Sequence, residues 1–221
     1  LTVRTLAQLA SRLGPNCQPA GVGFEACREG WNVHDKLLEW GNAPLLLDTT
    51  RIRRIGVGQH KRKNDAIDAE AIAHAVESGR IPLAHVLSPE RRVLRAQLSV
   101  RGALVETRAQ YITTIRGLVR ATGVLLPTCD PANFTKRLAM TALGEATRQL
   151  VTPLVQVLEA VETQLLQVEQ QLAGMAEREP VIKLLATTPG VGLIVAATFV
   201  SVIDEAKRFG NAQAVGAYLG L

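Results

Sequence analysis

Two aspartates, Asp65 and Asp68, stand three residues apart in the stretch Lys61-Arg62-Lys63-Asn64-Asp65-Ala66-Ile67-Asp68-Ala69-Glu70. On a helix, positions i and i+3 share a face, so both carboxylates point the same way. Such a pair is a donor set for a hard divalent cation such as magnesium. Lys61, Arg62 and Lys63, immediately before it, offer positive charge to phosphate. A plainer explanation competes, because the helix dipole favours acids in any first turn. Spacing alone does not separate the two. A third acid, Glu25, closes the small apolar run AGVGFEA, and a carboxylate at the end of a buried strand is costly unless it has a partner or a task.

The elements that must position these acids are legible around them. Residues 2–13 carry Leu6, Leu9 and Leu13 at helical spacing and are stopped by Gly14-Pro15-Asn16. Residues 20–26 read as a buried strand, 28–40 as a helix and 44–48 as a second strand, the βαβ pattern of a parallel sheet. The loop 51–63 then holds Arg51, Arg53, Arg54, Lys61, Arg62 and Lys63, with no acid between Asp48 and Asp65. A solvated loop is the bland reading, but six cations beside a carboxylate pair favour contact with nucleic acid. The helix DAIDAEAIAHAVES follows, and Gly79 ends it. Acids drawn from a strand end and a later helix resemble an RNase H-like site, where magnesium ions activate a nucleophile and stabilise the leaving group at phosphate.

Beyond residue 88 the pattern is helical. Residues 88–122 form one long helical stretch carrying seven arginines (91, 92, 95, 101, 108, 116 and 120) against Glu90 and Glu106. That excess leans toward phosphate contact over ordinary surface charge. A turn-rich break at 123–133 leads to a second long helix, 145–176. Its apolar residues 151, 154, 158, 161, 165, 168, 172 and 175 keep heptad spacing, as in an antiparallel hairpin or an oligomerising coiled coil. Thr187-Thr188-Pro189-Gly190-Val191-Gly192 then joins two helical patterns. A glycine turn at a helix start exposes N–H groups that can hold a phosphate, although a plain tight turn is the commoner use of such a sequence.

Bulk properties narrow the classes. The 221 residues are 47% apolar and 20% charged, a composition that does not indicate disorder. Only 4% are aromatic, which disfavours a base-stacking single-strand binder. The net charge of +5 leans toward a polyanionic partner. Three cysteines without a CxxC spacing suggest neither a disulfide framework nor a zinc site, and Cys27 reads as a small buried residue. No apolar run is long enough to span a membrane and no signal peptide is read, so a cytoplasmic location is expected.

Three segments together resemble the DEDD transposases of bacterial insertion sequences. The family is the one numbered one hundred and ten, in particular its subgroup eleven-eleven, with the Piv-type DNA invertases as relatives. The segments are Gly23-Phe24-Glu25-Ala26-Cys27, Lys63-Asn64-Asp65-Ala66-Ile67-Asp68-Ala69-Glu70-Ala71-Ile72, and Thr188-Pro189-Gly190-Val191-Gly192 through Ala217-Tyr218-Leu219-Gly220-Leu221. The resemblance implies a partial RuvC-like, RNase H-type α/β domain at 1–80, a coiled-coil arm at 81–177 that mediates assembly, and a helix-hairpin-helix-like α segment at 178–221. It implies four acids in the order D, E, D, D, of which Glu25, Asp65 and Asp68 match the last three as catalytic magnesium ligands. Residues 1–24 contain no Asp or Glu. The first acid and the family's catalytic serine are therefore expected outside this chain, whose two ends look like cuts through a longer protein, and the piece alone is expected to be inactive.

Arg51, Arg53, Arg54, Lys61, Arg62, Lys63, Gly190 and Gly192 are the candidate nucleic-acid contacts. The implied partners are double-stranded DNA, a structured guide RNA and further copies of the chain, near the bacterial nucleoid. A RuvC-like junction nuclease and a non-catalytic nucleic-acid-binding remnant are the competing readings.

Overall fold

The structure, a computed structural model, describes residues 3–48, 65–79 and 83–221, with the backbone alone for residues 3, 4, 6 and 65–68. It is mostly helical, with one small parallel sheet. The chain divides into two compact units, Leu1–Leu87 and Ser88–Leu221.

In the first unit, α1 (Val3–Leu13) leads to β1 (Gly21–Glu25), α2 (Gly30–Glu39), β2 (Ala43–Leu47) and α3 (Asp65–Glu77). The two strands pair in parallel from Gly21 opposite Ala43 to Glu25 opposite Leu47, and α2 makes the crossover. The expected βαβ unit is therefore present, with β1 half-buried where a buried strand was expected. Asn42, 5% exposed, fixes where α1 ends and β1 begins. Its Oδ1 accepts from the Ala20 N–H at 3.0 Å, and its Nδ2 donates to the Leu13 carbonyl at 2.7 Å. One short polar side chain thereby satisfies two backbone groups beside the core residues Leu37, Leu46 and Leu47.

The second unit is built on α4 (Pro89–Ala121) and α6 (Glu145–Glu177). Arg91 binds Glu179, Gln97 binds Gln171, and Arg101 binds Glu169. Partner numbers fall along one helix as they rise along the other, so the two helices form an antiparallel hairpin. The heptad-spaced residues Val151, Leu158, Leu165, Val168 and Leu172 are buried within it, each contributing about 1.5–3 kcal/mol of transfer free energy.

At one end Ile112, Ile115, Val119, Val151 and Leu158 pack with Phe134 and Leu138 of α5 (Phe134–Ala139). That short helix lies just past the expected break, where none was read from the sequence. At the other end Leu94, Val168, Leu172 and Ala176 pack with Ile182 of α7 (Pro180–Ala186) and with Ala196, Ala197 and Val200 of α8 (Leu193–Ile203). The hairpin and the 178–221 segment thus share one apolar cluster. A final helix, α9 (Ala212–Leu219), is tethered by Arg208, whose guanidinium lies 4.8 Å from the Phe209 ring and 4.7 Å from the Tyr218 ring.

Several arginines expected at phosphate are used inside this unit. Arg91 pairs with Glu179 and lies 3.7 Å from Asp204, and Arg101 pairs with Glu169. Arg116 donates to the Leu126 and Pro127 carbonyls and sits over the Phe134 ring. The charge excess on α4 is in these three cases internal wiring, a correction to the reading by charge count. Asp204 stands at φ 60°, ψ −87°, a strained conformation for a residue with a Cβ. Its carboxylate holds it there by accepting from the Ser88 N–H and Oγ at 3.0 and 2.9 Å.

Candidate metal and nucleic-acid site

Glu25 is the last residue of β1 and is exposed. The ladder continues one bond past it, from the Ala26 N–H to the Leu47 carbonyl at 3.0 Å, so the backbone carrying Glu25 is held on both sides. Cys27 is exposed as well, which corrects the expectation of a buried thiol. It falls in the turn that enters α2, where its carbonyl accepts from the Gly30 N–H.

Asp65 and Asp68 lie in the first turn of α3, as expected. Their side chains are outside the described residues, but the helix bearing them is docked on β1. A Cβ added at Gly23 would meet Val76 Cγ2 at 2.5 Å and Ile72 Cγ2 at 3.3 Å. At Gly23, therefore, α3 lies close enough to the strand that a side chain there would push it off. Positions 65, 68, 72 and 76 recur at helical spacing along one face. Within the described side chains of α3, Ile72 and Val76 are the ones that meet Gly23.

Glu25 is two residues beyond Gly23 on the strand. One crevice runs between α3 and β1, lined by Leu13 of α1, Gly21 and Gly23 of β1, and Ala69, Ile72 and Val76 of α3. Among the described residues no cluster of three or more His, Cys, Asp or Glu side chains is placed to hold a metal, a statement that does not reach Asp65 or Asp68.

The basic residues Arg51, Arg53, Arg54, Lys61, Arg62 and Lys63 lie outside the described residues. Gly190 and Gly192 lie within them. Gly190 has φ +83°, a left-handed conformation that favours glycine, and closes a turn in which the Val191 N–H donates to the Thr188 carbonyl at 3.0 Å. Gly192 is the N-cap of α8 and offers no side chain to its first N–H groups. Residues 187–190 are exposed, so the turn presents bare backbone to solvent. No helix among the described residues is long and apolar enough to cross a membrane.

Comparison with known proteins falls on these same elements. Residues 182–221, from within α7 to the end of α9, match the family described as Transposase IS116/IS110/IS902 family. Over 166 residues the chain is 26% identical to the transposase for insertion sequence element IS1111A of Coxiella burnetii (strain RSA 493 / Nine Mile phase I), covering 72% of this chain and 45% of that protein. Over 212 residues it is 26% identical to the transposase for insertion sequence element IS1328 of Yersinia enterocolitica, covering 93% of this chain and 61% of that protein. The chain spans about half the length of the curated relatives it matches. The chain is thus similar to transposases of insertion sequence elements, and its segment 182–221 matches the model of the IS116/IS110/IS902 transposase family.

Proposed function

We propose that the chain is part of a DNA transposase of a bacterial insertion sequence. In this reading the whole transposase cuts and joins DNA strands through a divalent metal to which Glu25, Asp65 and Asp68 contribute in an RNase H-like arrangement. The observation that supports the proposal is the packing of Ile72 and Val76 of α3 against Gly23 of β1, the strand that ends in Glu25, taken with the helical spacing of positions 65, 68, 72 and 76 in the sequence. Three carboxylates are a fitting donor set for magnesium, which takes hard oxygen ligands. When bound, the ion would supply activation of the attacking oxygen and charge stabilisation at the scissile phosphate.

The chain's own residues supply position and charge. Glu25 is anchored by the β1–β2 ladder, and the aspartates by a helix whose approach is set by packing. The six cations before α3 match the phosphate backbone of double-stranded DNA. The exposed turn at Gly190 and the N-terminus of α8 at Gly192, which has no side-chain cap, offer a second backbone contact. By resemblance, a structured guide RNA, assembly of several copies along the hairpin, and a place at the bacterial nucleoid complete the reading.

A nicking assay with magnesium on DNA carrying the element's ends tests it. With three acids of a four-acid set, the 221 residues alone are expected to bind this DNA without cutting it. In the whole transposase, strand cutting should be abolished by Asp65→Ala; cutting that survives contradicts the assignment, because the cation would then have kept its function without a fixed ligand.

A further inference from the structure

The tip of the hairpin, where the chain turns from α4 back into α6, gathers charge that the fold does not use. Between residues 117 and 150 stand Arg120, Lys136, Arg137 and Arg148, against the acids Asp130 and Glu145. Both acids are engaged. Asp130 accepts from the Ala132 N–H at 2.9 Å, and Glu145 accepts from the Gln149 side-chain amide at 2.8 Å. All four cations are exposed, and Arg120, Arg137 and Arg148 have no ion pair among the described residues. Lys136 is the exception, since its charge also acts on Glu162. The register that sets Arg91 against Glu179 and Arg101 against Glu169, carried along both helices, brings Arg120 level with residues 148–150. Arg120 and Arg148 thus stand side by side on helices whose axes are about 8–10 Å apart. Lys136 and Arg137 lie on α5, whose Phe134 and Leu138 pack with Val119 and Val151 at the same level. Two apolar side chains stand out at this tip. Leu125 is 73% and Met140 85% exposed, Leu221 apart the most exposed large apolar residues described, although their neighbours Leu126 and Leu138 are buried.

We propose that the hairpin tip is a docking surface for a DNA duplex, separate from the basic run 51–63 and from the Gly190 turn. Arg120, Arg137 and Arg148, with Lys136, neutralise backbone phosphates, and Leu125 and Met140 enter the minor groove between them. The choice of DNA rests on the transposase reading given above; the surface itself rests on the charge and the exposed apolar pair. Cations without internal partners match a polyanion, whose phosphates release condensed counterions when such charges approach. No exposed aromatic ring stands among them to stack on unpaired bases, so a duplex fits better than a single strand. Basic side chains flanking a protruding Leu or Met are the pairing that proteins use to hold a minor groove and wedge open a base step. An A-form RNA duplex offers a wide, shallow minor groove in which such a wedge finds little to fill. An anionic membrane would take the same charges, but two apolar side chains fall well short of the continuous apolar face that interfacial helices bury. The contact reads no sequence through phosphate, so its effect is to fix where a duplex lies along the hairpin.

Fluorescence anisotropy of a labelled DNA duplex, titrated with the full chain over a series of salt concentrations, tests the proposal. Arg120→Ala with Arg148→Ala should lower affinity at least about tenfold and reduce the slope of log affinity against log salt by about 2, at roughly 0.9 per phosphate contact. Arg12→Ala with Lys36→Ala removes the same net charge from the first unit and should change the slope little. All four sites are exposed, so helical circular dichroism should be unchanged. Leu125→Ser with Met140→Ser should lower affinity several-fold and leave the salt slope as it was, because no phosphate contact is lost. If DNA binds and the Arg120/Arg148 pair behaves as the Arg12/Lys36 pair does, the tip is overturned while the transposase reading stands. If the serine pair binds as well as the parent chain, the groove contact is overturned. Binding that depends on Arg120 and Arg148 but favours an RNA duplex, or phosphatidylserine vesicles, over DNA assigns the tip to another partner and overturns the proposal. A chain that binds no DNA at all overturns both the tip and the DNA contacts of the transposase reading.

Discussion

Replacing Gly23 by alanine should loosen the helix that carries Asp65 and Asp68. The new Cβ would lie 2.5 Å from Val76 Cγ2 and 3.3 Å from Ile72 Cγ2, against ordinary carbon contacts of about 3.5–4 Å. Val76 is β-branched and stiff at χ1, so the relief must come from a shift of α3 away from β1. Overpacking of this kind costs about 1–3 kcal/mol. Val76→Ala alone removes two methyl groups from a half-buried position, a loss of roughly 1 kcal/mol. In the double variant the alanine at 23 has room, so Gly23→Ala should add little to the cost of Val76→Ala. The coupling would be about 1–3 kcal/mol in the favourable direction. Amide hydrogen exchange over residues 69–77 reads the local opening free energy without assuming that the two units unfold together. About tenfold loss of protection in Gly23→Ala, largely recovered in the double variant relative to Val76→Ala, is the expected pattern. Unchanged protection in Gly23→Ala, or a loss that Val76→Ala does not relieve, would refute the docking of α3 through Gly23.

Three further outcomes follow from the second unit. Arg116→Ala removes donors to the Leu126 and Pro127 carbonyls and the cover on Phe134, so thermal stability should fall by roughly 2 kcal/mol. DNA affinity and its salt dependence should be unchanged. The hydrogen bond from Arg91 holds the Glu179 carboxyl below its ordinary value of 4.5, overriding partial burial. Its stabilisation is present above pH 4.5 and lost as pH falls through the lowered value, so Glu179→Gln should flatten the acid limb of a stability–pH curve. Burial pushes the Glu162 carboxyl up from 4.5 against the pull of Arg108, and its Oε1 is buried without a hydrogen-bond partner. The sign is opposite here. Ionised Glu162 destabilises the fold at neutral pH, so Glu162→Gln should raise the melting temperature at pH 7 and lose that advantage below pH 4.5, where the carboxyl is protonated folded or unfolded.

What the sequence reveals follows the range of the interactions involved. The long helices α4 and α6 end within a residue or two of their expected limits, because apolar period, proline and glycine act locally. The crossover β1–α2–β2 is legible for the same reason. Helix α5 is hidden, because its six residues are held by Phe134 buried under Arg116, a contact made across the break. Charge counting on α4 misleads because the acids that take up Arg91 and Arg101 are 88 and 68 residues away.

Asp204 carries no glycine-like signal for its positive φ, and its support is the distant Ser88. Within the candidate site, the spacing of Asp65 and Asp68 and the strand-end position of Glu25 are visible in sequence. The closeness of α3 to β1 is not, although a glycine inside the strand run GVGFE marks where another backbone or helix can approach.

In the proposed metal site, Glu25, Asp65 and Asp68 share one divalent cation. Paramagnetic broadening of backbone amide resonances on titration with Mn²⁺, a stand-in for Mg²⁺, distinguishes one shared ion from separate or absent binding. The expected result is loss of signal at residues 24–26 and 65–69 together, at one concentration of ion, reversed by excess magnesium and abolished in Asp65→Asn. Broadening confined to one of the two segments, or that persists in Asp65→Asn, would contradict the shared site.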